Sequence, residues 1–411
     1  MYQSLQIMHR KWLLTAFVWF FVAASLGLLL RVSLFYNLSF TFNYKFMLHA
    51  HSHVMFMGWL FNLLYIALVG TFINPAAAPR RYAALFYIFQ VSVAGMLLAF
   101  PVQGYAAVSI AFSTLHVFAD YLFAFRFFKD TENPNHSSNY ALLFARWAVV
   151  FMVLSTIGPY GLGYAMANGL QNTAFYHLCI YFYLHFQYNG WLIFGITALV
   201  LHHLAQAGVA LPALQMQWFL RLMVFSCVVS FSLSALFTHP PLWVYVAGLV
   251  SGSMQAVSIL LTAPLIWQHR SRFGASGSIT RWLFGLSALS FVLKALLQLA
   301  SAFAPVADFA FQHRNIIIAY LHLVFLGVGT FFFLAYFAQN GLLSFKLPVV
   351  RCATFLLLGG FVITQTLLIL QLYFSVEWLL ALATAFLPAS ALLFTAAAAQ
   401  SNTVYKTNQN G

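Results

Sequence analysis

The sequence predicts an all-α integral membrane protein, a bundle of about 12 transmembrane helices. Of its 411 residues, 63% are hydrophobic and only 6% are charged, a balance that excludes a soluble globular domain. Apolar runs of about 20 residues follow one another along the chain, each long enough to cross a bilayer as a helix. Basic residues gather in the short loops between these runs. Residues 1–411 are therefore expected to form a single membrane domain.

The first apolar run begins at Trp12 and is too long for the core of a signal peptide, so it is predicted to be the first span. The other spans are predicted by the same criterion of length and hydropathy. The predicted spans are 12–35, 46–72, 82–101, 104–128, 142–167, 173–201, 214–237, 242–267, 282–303, 315–338, 350–374 and 378–399.

The distribution of basic residues predicts the orientation of these spans. Loops on one side are rich in Lys and Arg, which marks the cytoplasmic side, so both termini are expected to be cytoplasmic. The basic residues on this side are Arg10, Lys11, Arg80, Arg81, Arg126, Lys129, Arg270, Arg272, Lys346, Arg351 and Lys406. The net charge of +13 therefore orients the helices, and no nucleic-acid partner is expected. The three cysteines form no spacing motif for a disulfide framework or a metal site.

Three histidines lie near the outer end of the second predicted span, at positions 49, 51 and 53. Ionisable side chains at membrane depth are costly, so the cluster needs partners, and a haem iron or another metal is an obvious one. Residues four apart share a helix face, so His49 and His53 point one way and His51 points roughly opposite. A polar patch at the membrane interface is the alternative interpretation of the cluster.

Two further spans carry histidines at informative depths. The second, sixth and tenth spans all run from outside to inside in this topology, and His51 and His322 then fall at similar depths. His185 lies about three turns into the sixth span, with Tyr188 almost one turn later and His177 two turns earlier on the same face. Each of these histidines could instead form only an interhelical hydrogen bond. His202 and His203, at the cytoplasmic end of the sixth span, are expected to be solvated.

Four segments resemble the catalytic subunit I of haem-copper oxidases, especially its nitric oxide reductase and cbb3-type oxidase branch. His51-Ser52-His53-Val54 resembles the low-spin haem ligand segment of helix 2 in that family. The segment 318–327, around His322, is similar to the Ala-His-x-His-Leu motif of helix 10. The segment 185–190 resembles the copper-ligand segment of helix 6, with Asn189 where an acidic residue is usual, and 241–248 resembles the start of helix 8.

The resemblance implies a low-spin haem b held between helices 2 and 10. His51 is the preferred helix-2 ligand, with His53 as the alternative and His49 as a further member of the cluster, and His322 is the helix-10 ligand. A bis-histidine haem needs two neutral imidazoles on opposite faces of the iron, which two parallel helices with histidines at matched depth can supply. No Cys-x-x-Cys-His motif for covalent haem attachment is present.

The resemblance breaks at the second metal centre of that family. The proximal histidine of the high-spin haem is replaced by Tyr320, a chemically possible but unusual haem ligand. The adjacent histidine pair that completes the copper site maps onto Leu233 and Ser234. His185 is the matched copper ligand, and His239 and His177 are the other candidates for a copper ion, while a second haem is the alternative occupant. An altered or lost binuclear centre is therefore expected.

Two pairs of polar residues lie four apart within predicted spans: His116 with Asp120, and Lys294 with Gln298. Each pair is expected to interact along its own helix, and either could belong to a proton path.

The favoured function is a haem-binding redox protein of the membrane, acting in electron transfer or sensing. The alternative is an active oxygen or nitric oxide reductase with His185 and Tyr188 as catalytic candidates. A metal or solute transporter is a second alternative, disfavoured because acidic residues are nearly absent. The expected partners are the lipid bilayer and an electron-donor cytochrome or partner subunit. The expected location is the bacterial inner membrane.

Overall fold

The structure is a computed structural model that describes residues 2–36, 42–74, 79–132, 139–274 and 276–410, with side chains for all of these except 2–8, 79 and 401–410. Of the chain, 86% is helical, and no strand occurs among the described residues. The side chain of Lys406, used above to assign the cytoplasmic side, lies outside the described side chains.

The prediction of twelve membrane-spanning helices is confirmed. Twelve helices in the described part of the chain are long and apolar enough to cross a bilayer. These spans, named below in chain order from first to twelfth, are His9–Phe35, Tyr44–Phe72, Arg80–Gln103, Ala107–Asp130, Tyr140–Ala167, Ala174–Gln206, Ala213–Thr238, Leu242–Gln268, Ser278–Ala300, Arg314–Gln339, Pro348–Leu370 and Glu377–Gln400. The protein is therefore a multi-pass integral membrane protein.

Several spans are not continuous α-helices. The fifth is divided at Thr156 into Tyr140–Ser155 and Ile157–Ala167, and the twelfth is divided at Ala385. The seventh is α-helical over Ala213–Val229 and tightens into a 3₁₀-helix over Ser230–Thr238. A short helix, Ala304–Gln312, precedes the tenth span.

The second, sixth and tenth spans each contain a π-helical segment. In the second span, Val54–Leu60 is π-helical between the α-helices Tyr44–His53 and Phe61–Phe72. In the sixth, Phe186–Leu192 lies between Ala174–His185 and Ile193–Gln206. In the tenth, Leu323–Thr330 lies between Arg314–His322 and Phe331–Gln339. Each π-helical segment directly follows a histidine, and such wide turns are frequent at functional sites.

Large apolar side chains are exposed on the other spans. Leu98, Leu260 and Trp282 are 73%, 71% and 72% exposed, respectively. Exposure of this extent would be costly in water, whereas a lipid bilayer offers apolar contact and helices satisfy their own backbone hydrogen bonds. These faces therefore contact the hydrocarbon of the bilayer.

The chain divides into two compact units, described separately below. The first unit comprises Met1–Phe123, Ser276–Leu283 and Leu321–Gly411. In it the first span packs against the second and twelfth, the second packs against the third, and the eleventh packs against the twelfth. The π-helical segments of the second and tenth spans also pack against each other in this unit.

The second unit comprises Ala124–Ala275 and Phe284–Tyr320. In it the fifth span packs against the sixth, including its π-helical segment, and the seventh packs against the eighth. The short helix Ala304–Gln312 packs on the 3₁₀-helical end of the seventh span.

Candidate functional site

The second and tenth spans meet just beyond their histidines. The indole nitrogen Nε1 of Trp59 donates a buried hydrogen bond of 2.9 Å to Oγ1 of Thr330. The rings of Phe56 and Phe325 lie 5.6 Å apart. Because both pairs advance in the same direction along the two helices, the spans run parallel. Trp59 is eight residues after His51, and Thr330 is eight residues after His322.

This register brings His51 and His322 together. The two imidazoles lie within electrostatic range of each other. Both histidines are partly buried as whole residues, whereas residues 54–60 and 324–330 in the π-helical segments beyond them are buried. These are the two histidines predicted from the sequence to lie at matched depth.

His51 is held from one side by the first span. Its Nδ1 lies 2.8 Å from the carbonyl oxygen of Ala23, and since a carbonyl oxygen can only accept, Nδ1 carries the hydrogen and donates. In the neutral imidazole this leaves the lone pair on Nε2 free, the arrangement found in metal-bound histidines. Gly27 makes room for the ring, because a Cβ atom there would lie only 2.9 Å from Cε1 of His51.

His322 is the last α-helical residue before the π-helical segment of the tenth span. Its Nδ1 is buried and has no hydrogen-bond partner among the described residues. An unsatisfied buried nitrogen costs about 1–3 kcal/mol, so a group that is not part of the chain, a water or a cofactor, would stabilise this imidazole.

Arg31 adds a positive charge to the same place. This residue of the first span lies within electrostatic range of both His51 and His322. Arg31 was not among the site residues predicted from the sequence. An arginine inside an otherwise apolar run is a signal that could have identified it. A guanidinium beside two imidazoles suits a ligand that carries carboxylates, because arginine pairs with carboxylates through two parallel hydrogen bonds.

His49 and His53 point the other way, as their helical spacing predicts. The Nδ1 of His53 donates to the carbonyl oxygen of His49 at 2.8 Å, and the His53 ring lies 4.4 Å from that of Phe100. The ring of His49 lies 4.6 Å from that of Tyr105. The structure therefore separates the three-histidine cluster and places only His51 beside His322.

His185 lies in the second unit, buried and bonded at both ring nitrogens. Its Nε2 donates to the carbonyl oxygen of Cys227 at 2.8 Å, and its Nδ1 accepts from the amide of Asn189 at 3.1 Å. A metal ion could reach either nitrogen only by displacing one of these partners. Lys294, which is fully buried, lies within electrostatic range of His185 and bonds Gln298 at 2.5 Å, the pairing predicted from their spacing.

Tyr188 and Tyr320 lie near each other in the same unit. Their ring centroids are 6.2 Å apart, and their hydroxyl groups are within hydrogen-bonding range. Tyr320 therefore has a phenolic neighbour. Two phenols that share a hydrogen bond can exchange a proton between them.

The remaining histidines named as candidate ligands are dispersed. His177 is exposed, and its ring lies 5.5 and 6.5 Å from the rings of Tyr176 and Tyr181. His239 adopts a left-handed backbone conformation and is 72% exposed, 3.9 Å from the carboxylate of Asp308. In the described part of the chain, no group of three or more His, Cys, Asp or Glu side chains is placed to hold a metal ion. The altered copper centre stays a prediction.

His202 and His203 are both half-buried rather than fully solvated. The Nε2 of His203 donates to the carbonyl oxygen of Arg272 at 3.0 Å, so this ring joins the end of the sixth span to the segment that follows the eighth.

The residues around His51 and His322 fit a haem. The site combines an imidazole with its Nε2 lone pair free, a second imidazole with a buried unsatisfied nitrogen and a guanidinium for carboxylates. Apolar side chains such as Phe56 and Phe325 lie next to it. This donor set is the one expected for a six-coordinate haem iron with two histidine ligands.

Comparison with known proteins assigns no family: no protein-family model matches the chain, and no curated protein matches it significantly.

Proposed function

We propose that the protein is a haem-binding membrane redox protein that carries a low-spin haem b between its second and tenth spans. The observation that carries this proposal is the pairing of His51 with His322 on two parallel spans, with Nδ1 of His51 bonded to Ala23 and its Nε2 free. A haem held there by His51 and His322 would supply reversible one-electron transfer.

The residues of this chain orient and tune that group. Ala23 fixes the ring orientation and the tautomer of His51, and a hydrogen bond to Nδ1 makes the imidazole a better donor at Nε2. Arg31 would pair with the carboxylates of the macrocycle and hold its polar edge. The hydrogen bond between Trp59 and Thr330 fixes the register of the two helices and so the separation of the two ligands.

A protein of this kind receives its electron from a partner, so we infer an electron-donor cytochrome or a partner subunit as its counterpart. We place it in the bacterial inner membrane, where electron carriers of this type work. Electron transfer and haem-based sensing both follow from the same site.

The test is a reduced-minus-oxidised absorption spectrum of the purified protein from haem-replete cells, with haem quantified after extraction. We expect non-covalently bound haem b with the spectrum of bis-histidine ligation. A colourless protein would overturn the proposal.

A second candidate function, reduction of a small gas such as oxygen or nitric oxide, has one observation in its favour. His185, Tyr188, Tyr320 and Lys294 place polar groups inside apolar spans of the second unit, where such groups are costly unless they serve a function. His185 and Tyr188 would then be the groups nearest the reacting gas.

A further inference from the structure

His116 and Asp120 form a buried pair on the fourth span, away from the histidines already assigned. Their side chains are only 2% and 3% exposed, and Nε2 of His116 lies 3.8 Å from Oδ1 of Asp120. That distance is within range for an ion pair but too long for a hydrogen bond. The spacing predicted this contact along the helix, and the hydrogen bonds around the pair indicate where its protons lie.

Ser92, on the third span, fixes the tautomer of His116. Its hydroxyl oxygen lies 2.7 Å from the carbonyl oxygen of Phe89, which can only accept, so the single hydroxyl hydrogen is used there. The same oxygen lies 2.8 Å from Nδ1 of His116, so Nδ1 must carry a hydrogen and donate it to Ser92. The lone pair of a neutral His116 is then on Nε2, the nitrogen that faces Asp120.

Asp120 cannot be a carboxylate beside that lone pair without a large penalty. Its Oδ1 is buried and has no hydrogen-bond partner among the described residues. A buried carboxylate is stable only when paired and hydrogen-bonded, and an ion pair with protonated His116 would still leave Oδ1 without hydrogen bonds. The pair therefore needs one more proton than a neutral imidazole and a carboxylate carry together. The carboxyl group of Asp120 is the best place for this proton, because the group is then neutral.

We propose that His116 and Asp120 form a proton-exchange site within the membrane, in which Asp120 is a protonated carboxylic acid at neutral pH and His116 is its acceptor. The ligand of this site is the hydrogen ion. This inference goes beyond the haem and does not depend on it.

The transfer step is balanced within the pair. The O–H bond of the Asp120 carboxyl breaks and an N–H bond forms at Nε2 of His116, which leaves a carboxylate and an imidazolium of opposite charge. The Nδ1 hydrogen of His116 stays bonded to Ser92 throughout. Closing the distance of 3.8 Å requires a small rotation of either side chain or one intervening water.

The surroundings of the pair are apolar, with few other titratable groups. The rings of Phe61 and Phe89 lie 5.0 and 4.8 Å from that of His116. Among neighbouring titratable groups, His53 on the second span lies within electrostatic range of His116. The rings of Tyr65 and Tyr82 lie 5.0 and 6.3 Å from the ring of Phe123, three residues after Asp120. The hydroxyl of Tyr65 donates to the carbonyl oxygen of Tyr82, so that group is already bonded.

The first test is infrared spectroscopy of the full-length protein in lipid nanodiscs at neutral pH. We expect a carboxylic acid C=O band that shifts on transfer to D₂O and is absent from Asp120→Asn. The matched control is Asp308→Asn, since Asp308 is also 3.9 Å from a histidine but its side chain is 36% exposed, and this variant should keep the band. Because Asp120→Asn could fold poorly, the band is also assigned in the wild-type protein with ¹³C-labelled aspartate.

No aspartic acid band in the wild-type protein, or a band that remains in Asp120→Asn, would overturn the proposal.

The second test addresses His116 as the acceptor. We expect His116→Phe to keep the band but to slow its hydrogen–deuterium exchange about tenfold or more, as expected when a proton-accepting side chain is removed. Unchanged exchange in that variant would refute the role of His116. Because both readouts come from a carboxyl band, they do not depend on whether haem is bound.

Discussion

His51 and His53 are two residues apart, yet only one of them lies beside His322. We expect His51→Ala and His322→Ala each to abolish the bis-histidine haem spectrum, because each removes one axial ligand. His53→Ala should retain it, since the His53 ring packs on Phe100. Haem content and the reduced-minus-oxidised spectrum of each purified variant provide the measurement.

His202 and His203 supply the control for that experiment. His202→Ala and His203→Ala lie in the second unit and should leave the haem spectrum unchanged. Equal haem loss in these variants would mean that the ligand assignment is wrong.

Gly27, one turn after Ala23 on the first span, tests the same site through the packing of the His51 ring. A methyl group there would press on Cε1 of His51 at 2.9 Å, so Gly27→Ala should tilt the ring and weaken its bond to Ala23. Overpacking of this kind costs about 1–3 kcal/mol. We expect lower haem retention on detergent washing and a shifted reduction potential. Gly285→Ala is the matched control, because a Cβ atom there meets nothing within 4 Å, and its haem retention should equal that of the wild-type protein.

At the level of elements, the contact between the second and tenth spans rests on Thr330. Its hydroxyl accepts from Trp59 and donates to the carbonyl oxygen of Phe325, five residues earlier in the π-helical segment. Thr330→Val removes both hydrogen bonds with little change in volume. We expect a loss of about 1–2 kcal/mol in the free energy of unfolding.

Thermal unfolding followed by tryptophan fluorescence measures that loss. Thr366→Val is the control, because the Thr366 hydroxyl bonds only to the carbonyl of Val362 on its own exposed helix face. If both variants lose the same stability, the interhelical bond contributes nothing measurable.

The spans were predictable from the sequence, whereas their internal geometry was not. Length and hydropathy identify an apolar helix such as Pro348–Leu370 directly, because the bilayer thickness sets the number of residues needed to cross it. The π-helical segments leave no such signal, since Val54–Leu60 and Leu323–Thr330 are apolar on every side. Hydrophobic periodicity cannot distinguish a wide turn from an α-helical one when every face is buried.

The candidate site was predictable only in part, because the sequence identifies unusual side chains but not the residues that contact them. Histidines are rare in apolar runs, so His51 and His322 were identified by their type, their depth and the resemblance of their segments to a known family. The residues that contact His51 were not identified. Ala23 contributes only a backbone carbonyl, and Gly27 contributes only the space that its missing side chain leaves. The link between Ser92 and His116 joins two spans that only a three-dimensional structure brings together.

For the whole molecule, the two competing functions predict different ligand binding in the second unit. We expect little carbon monoxide binding by the reduced protein and substoichiometric copper, because both nitrogens of His185 are bonded. The side chains of Leu233 and Ser234, at the positions where the sequence resemblance predicts two further copper ligands, are poor metal ligands. Optical titration with carbon monoxide and elemental analysis measure the two quantities. Stoichiometric amounts of both would restore the gas reductase as the function.

The orientation of the molecule is also testable. We expect both termini to face the cytoplasm, because the basic loops alternate with loops that are poor in Lys and Arg. In a cysteine-free background, cysteine at Ser344 should be protected from an impermeant maleimide added to spheroplasts, whereas cysteine at Ser375 should be labelled. The reverse pattern would invert the assignment.

The wide turns after the histidines have a consequence for insertions and deletions. A π-helical turn holds one residue more than the α-helical turn it replaces. It therefore rotates the side chains of all later residues about the helix axis relative to those before it. The N-terminal half of the second span can therefore direct His51 toward one neighbour while the C-terminal half keeps a separate packing face. Removing one residue between Val54 and Leu60 would turn that C-terminal half relative to His51, whereas a substitution leaves the number of residues in the turn unchanged. Sequences that share this fold should thus tolerate exchange of residues in these turns far better than a change in their number.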